Sequence, residues 1–127
     1  MSIKWIKEAE EVGTATMFPN YLQANSAFIN KFKNKYSALT GLDDETDQIV
    51  LKPLTEEEDQ NPLYHDSLRL KISVQKSYIR FGNTKQMSLI ASIIHVDVPK
   101  EGLKGTSRWD DNEEALYIYL GGGAYEK

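Results

Sequence analysis

The sequence predicts an α+β domain with a mainly antiparallel sheet. Three observations carry that prediction. Phe28, Ile29, Phe32 and Tyr36 lie at helical spacing, which predicts one principal amphipathic helix over about 26–36. Leu68, Leu70, Ile72 and Val74 alternate with Arg69, Lys71, Ser73 and Gln75, the pattern of a half-buried strand. Two apolar stretches, 36–42 and 48–54, flank the polar run Asp43-Asp44-Glu45-Thr46-Asp47, which reads as a hairpin.

Taken in order, residues 1–24 are ambiguous. Ile3, Trp5 and Ile6 suit the start of a strand, and Glu8 to Glu11 suit a helical turn that Gly13 stops. Thr14 to Phe18 suggests a short strand ended by Pro19-Asn20. The helix over 26–36 has Asn25 or Ser26 as its cap. Pro53 falls at the end of the hairpin's second strand, where a missing amide hydrogen costs least. Thr55 to Pro62 carries four acids and reads as an exposed connection inside one domain spanning 1–127. Residues 77–81 fit either a short helix or a strand before Gly82-Asn83. Met87 to Val98 is strongly apolar, and Ile94, Val96 and Val98 alternate with His95 and Asp97 as a strand would. Residues 100–113 read as loop. Ala115 to Leu120 is a final strand with Leu116, Ile118 and Leu120 on one face and Tyr117 and Tyr119 on the other, ended by Gly121-Gly122-Gly123.

Composition narrows the chemistry. The chain of 127 residues is 40% hydrophobic and 27% charged, a globular balance. It has no cysteine, so disulfides, thiolate catalysis and cysteine-based metal sites are excluded. No apolar run approaches the roughly 20 residues of a spanning helix. The start, Met1-Ser2-Ile3-Lys4-Trp5, lacks the apolar stretch of a signal peptide, so a cytoplasmic protein away from the membrane is expected.

No catalytic or metal pattern emerges. His65 and His95 are far apart in sequence, and His95 is expected on the surface or edge of a sheet. The run from Asp43 has acids where a calcium loop has them, but Gln48 and Leu54 occupy the positions of its glycine and bidentate glutamate. The glycine-rich stretches are neither a phosphate loop nor a nucleophile elbow. No cofactor is expected. The acidic runs Glu56 to Asp59 and Asp110 to Glu114 read as solvated surface.

Charge distribution says more than any motif. The net charge is -4, from 19 acids against 15 Lys and Arg. Yet no acid occurs from Val12 to Leu42, where Lys31, Lys33 and Lys35 lie. None occurs from Ser67 to Val96 either, where Arg69, Lys71, Lys76, Arg80 and Lys85 lie. If the two windows meet, they make a basic face able to attract phosphate. Tyr78 and Phe81, interleaved with Lys76 and Arg80, would add base stacking.

Two stretches, Met17-Phe18-Pro19-Asn20-Tyr21-Leu22 and Asp47 to Leu54, resemble the swapped-hairpin DNA-binding family typified by AbrB, SpoVT and MraZ. The first is similar to the family's entry strand and proline, the second to its terminal strand after an acidic turn. The resemblance covers residues 14–54. It implies DNA contacts, for which Lys31, Lys33 and Lys35 are the candidates, and an interleaved homodimer. The predicted helix is longer than the family's short turn.

The function expected from sequence is a small non-enzymatic binding or regulatory domain with a protein partner, Tyr117 and Tyr119 being the interface candidates. Nucleic-acid binding through the windows is the alternative. A small-ligand site or enzyme, with His95, Asp97, Tyr117 and Tyr119 converging on paired strands, is the third reading.

Overall fold

The computed structural model describes residues 12–120 except 44 and 46. The strand readings at Ile3 to Ile6, the helical turn at Glu8 to Glu11 and the closing Gly121 to Gly123 fall outside the described residues.

Eight strands form a closed antiparallel barrel, which replaces the expected α+β fold with one principal helix. They are β1 (Val12–Met17), β2 (Leu22–Asn25), β3 (Ser37–Asp43), β4 (Gln48–Leu54), β5 (Arg69–Val74), β6 (Tyr78–Phe81), β7 (Leu103–Asp110) and β8 (Ala115–Leu120). Each odd strand forms a hairpin with the next even one. The hairpins join as β2 with β6, β5 with β3, β4 with β8 and β7 with β1. The order around the barrel is therefore β1-β2-β6-β5-β3-β4-β8-β7.

Alternation places the core inside. Ala15, Met17, Leu22, Ala24, Ala38, Leu51, Leu70, Ile79, Phe81, Leu116 and Ile118 are buried. An eight-stranded barrel leaves an interior just wide enough for side chains to fill. One mouth is plugged by a 3-10 turn (Ser26–Phe28) and α1 (Ile29–Phe32), which insert the fully buried Phe28 and Phe32. Phe32 meets Phe81 and Trp109 edge to face, with ring centroids 5.0 and 6.2 Å apart. The helix α3 (Thr84–Ile94) connects β6 to β7 across the other mouth and buries Met87 and Ile90. The short α2 (Glu56–Asp59) and the 3-10 turn Pro62–Tyr64 carry the chain from β4 to β5.

The hairpin over 36–54 forms as expected, with Asp43 opposite Gln48. Pro53 lies past the three residues that β4 pairs with β8, so its missing amide hydrogen breaks no bond there. The strand expected from the alternation at 68–75 is β5, and 78–81 is a strand, β6.

Three expectations change. The helix predicted over 26–36 is confined to the single turn and short α1. The backbone turns extended at Lys33 and left-handed at Asn34 (φ 66°), and the Tyr36 amide then donates to the Leu54 carbonyl at 2.7 Å. Barrel pairing thus outcompetes the last helical turn. The strand expected near Ile94 to Val98 is instead the end of α3. Asn83 Oδ1 caps the Gln86 amide at 2.9 Å, Met87, Ile90, Ala91 and Ile94 supply a helical stripe, and His95 ends it in the left-handed region (φ 59°). His95 is a helix cap, not a sheet residue. The loop expected over 100–113 contains β7, whose inward positions include the small Gly105 and Ser107 and so break the apolar alternation.

Those small residues are structural. A Cβ at Gly105 would fall on the Tyr119 carbonyl oxygen of the neighbouring strand. At Gly41 it would meet open space. Gly105→Ala is expected to destabilise by about 1–3 kcal/mol as an overpacking change, and Gly41→Ala to stay within about 0.5 kcal/mol of the parent. Urea titration of both variants checks this, and equal midpoints would refute the tight β7–β8 approach.

Candidate nucleic-acid interface

The barrel order brings the two acid-free windows together. β1, β2 and all of β3 except Asp43 come from the first window, and β5 and β6 from the second. These five strands are consecutive around the barrel, β1-β2-β6-β5-β3. Their outer face therefore carries no carboxylate from Val12 to Leu42 or from Ser67 to Val96.

Register fixes what lies across that face. Ser73, Arg80, Gln23, Thr16 and Lys104 stand opposite one another in one row over β5, β6, β2, β1 and β7. They point outward because their neighbours Ile79, Phe81, Leu22, Ala24, Ala15 and Met17 are buried. Lys71 lies opposite Ser37, and Arg69 opposite Leu39. Lys71, Lys76, Lys85 and Lys104 form no ion pair among the described residues.

Arg80 is the centre of the row. Its guanidinium lies 4.6 Å from the Tyr21 ring centroid and 5.3 Å from that of Tyr78. One Nη donates to the Tyr78 hydroxyl at 2.9 Å, while its buried Nε has no protein partner. Phe18 packs on Tyr21 with centroids 5.1 Å apart. A planar cation held this way has already lost its rotamer freedom, and the Nη N–H groups that Tyr78 does not use match a phosphate oxygen.

Not every candidate joins this face. Phe81 is fully buried in the barrel, so it cannot stack on a base. Lys31 sits over the Trp109 ring at 5.1 Å. It shares a cleft of about 380 Å³ with Lys35, Glu58, Asp111 and Glu114. Lys33 is exposed just after α1. Lys76 lies in the β5–β6 turn and Lys85 in the first turn of α3, both exposed. Tyr117 points outward from β8 beneath Arg108, 5.2 Å from the ring centroid. Burial pushes its hydroxyl above the ordinary tyrosine range, and Glu113, Asp110 and Asp43 add to the shift. Tyr119 stands opposite Thr106 on β7. The convergence of His95 and Asp97 with the two tyrosines required a strand at 94–98, and that segment is a helix end followed by irregular chain.

Sequence reasoning missed Tyr21 and Lys104. Tyr21 sits in a turn with no periodicity, and Lys104 in a stretch read as loop. It also missed a cleft at the edge of the acid-free face. There Ser37 Oγ donates to Asp59 Oδ1 at 2.6 Å, and Arg69 pairs with Asp59 Oδ2 at 3.4 Å and donates to its carbonyl. Asp59 is placed by α2, whose start is a reciprocal cap. The Thr55 amide donates to Glu58 Oε1 at 2.8 Å, and the Glu58 amide to Thr55 Oγ1 at 3.2 Å.

Among the described residues, no group of three His, Asp or Glu is placed to hold a metal ion. No helix among the described residues is long and apolar enough to cross a membrane. The chain matches no protein-family model, no curated protein and no solved structure.

The cap on α2 has a pH signature. The Thr55 backbone donor, with smaller help from its hydroxyl, Lys35 and Lys52, holds the Glu58 carboxyl below the ordinary glutamate range. Its contribution is complete above that range and is lost as pH falls through the lowered value. Glu58→Gln is therefore expected to flatten the loss of stability on acidification, and Thr55→Ala to cost about 1 kcal/mol at neutral pH. Thermal melts across an acid series check both, and an unchanged acid dependence in Glu58→Gln would exclude the cap as its source.

Proposed function

We propose that this protein is a non-enzymatic binding domain that holds single-stranded nucleic acid on the outer face of β1, β2, β6 and β5. The observation that carries this reading is that the two acid-free windows form adjacent strands. A protein of net charge -4 thereby presents one face bearing Arg80, Lys71 and Lys104 and no carboxylate from those windows. Unpaired lysines there would release the counterions of a phosphate backbone. Tyr21, Tyr78 and the Arg80 plane lie among those cations and suit unstacked bases, which a duplex would hide.

A protein partner, the reading that sequence alone favours, retains a different surface. Gly41, Val50, Tyr117 and Arg108 make a row on the outside of β3, β4, β8 and β7. Beside it a shallow cleft of about 510 Å³ is lined by Leu39, Val50 and Leu63, and Leu63 is 81% exposed. A partner there would leave the basic face free.

The test is binding of a labelled single strand across a salt series. Affinity is expected to fall steeply with salt, and Lys71→Glu with Arg80→Glu to reduce the log–log slope by about 0.7 for each phosphate contact removed. Glu113→Gln, on the opposite side, is expected to leave it unchanged. Absence of binding at low salt, or a double variant that binds like the parent, would end this reading.

A further inference from the structure

The cleft formed by Tyr36, Ser37, Asp59, Arg69, Lys71 and Gln86 has a volume of about 760 Å³ and opens beside Lys71 on the basic face. Its chemistry differs from the rest of that face, because it contains a carboxylate. Arg69 is already paired with Asp59, whereas Lys71 has no ion pair among the described residues, so a bound backbone lies toward Lys71. A group that enters beside Asp59 meets the acceptor positions its carboxylate has left, with Arg69 and Lys71 lining the same cleft.

We infer that the cleft takes one base of a bound single strand and favours guanine, read by Asp59 and stacked on Tyr36. The inference rests on the nucleic-acid reading above. A carboxylate offers about four acceptor positions. Ser37 and Arg69 occupy two of them, the first at 2.6 Å and the second at 3.4 Å. Ser37 is only 5% exposed, so its bond to Oδ1 fixes the carboxylate's orientation from below. The Gln86 amide donates to the Arg69 carbonyl at 3.1 Å and ties α3 to the same wall. Tyr36 is 50% exposed at the rim and has no hydrogen-bond or ring partner for its side chain among the described residues. An exposed ring beside a recessed acceptor is the arrangement that reads the edge of an unstacked base.

Base chemistry then selects. The Watson–Crick edge of guanine presents two adjacent donors, N1–H and the N2 amino group, which match the two oxygens of a carboxylate. Adenine and cytosine place a ring acceptor beside their amino group. Thymine and uracil flank a single N–H with two carbonyl oxygens, which a carboxylate repels. The order of preference is guanine first and thymine or uracil last.

The test compares an oligothymidylate with an alternating guanine–thymine strand of the same length, and with a third strand in which hypoxanthine replaces guanine. Fluorescence anisotropy at fixed salt is the readout. The guanine strand is expected to bind on the order of tenfold more tightly than oligothymidylate. Removal of the N2 amino group in the hypoxanthine strand, or Asp59→Asn in the protein, is expected to erase most of that margin while leaving oligothymidylate binding in place. Asp59 also anchors α2, so Tyr36→Ala serves as the second variant. Its half-exposed ring makes no hydrogen bond or ring contact among the described residues, and its loss is expected to weaken the guanine strand several-fold. Equal binding of all three strands by the parent would overturn the base-reading cleft and leave the basic face standing. Binding of none would overturn both.

Discussion

The barrel closes because its interior is filled from one mouth by two phenylalanines. Phe28 and Phe32 are large, and the wall around them is made small to receive them. A Cβ at Gly13 would collide with the Phe28 ring, and with Ser107 and Asn25. Ala15 and Ala24 are buried on the neighbouring β1 and β2, and Ala38 on β3. Close packing couples the two, because a larger side chain on the wall would displace a ring and a smaller plug would leave a void. Closure also removes every free sheet edge, so the eight strands can be short and variably polar on their outer side without offering an edge for aggregation.

That constraint sets what the sequence shows and hides. Where one hairpin is held by its own turn and alternation, as over 36–54, its residues announce it. Where an element is short because the barrel needs the chain back, local pattern misleads. Tyr36 continues the helical spacing of Phe28, Ile29 and Phe32, yet its amide bonds Leu54 and its side chain leaves the core. The reverse error arises at β7. Gly105 and Ser107 face inward because the interior is full there, so the strand lacks the apolar residues that mark strands elsewhere. At 94–98 a helix end followed by alternating valines imitates a strand. The decisive signal for the helix was Asn83, a capping residue four positions before Met87.

The candidate site was legible in the same partial way. The absence of acids from two stretches is visible in the chain, and it names Arg69, Lys71 and Arg80. Those three share the local β5–β6 hairpin, but the union of the two stretches into one face depends on β2 pairing with β6 and β5 with β3, two pairings between hairpins that no local pattern encodes. Lys31 and Lys35 belong to an acid-free window by sequence, but α1 crosses the barrel mouth and sets them beside Glu58, Asp111 and Glu114. Tyr21 and Asp59 lie outside any periodic element, and only the fold shows that they border Arg80 and Arg69.

Net charge is therefore the wrong quantity for judging what this protein attracts. A total of -4 distributed evenly would repel a phosphate backbone at every approach. Here most carboxylates of the described residues lie on the β3–β4 turn, on α2 and on the β7–β8 turn, while five consecutive strands of the wall carry almost none. At physiological salt the screening length is about 8 Å, which is less than the span of five strands at about 4.8 Å each. Charges on the far side of the barrel would thus be screened from an anion placed beside Arg80, Lys71 and Lys104, whose own charges lie within that length.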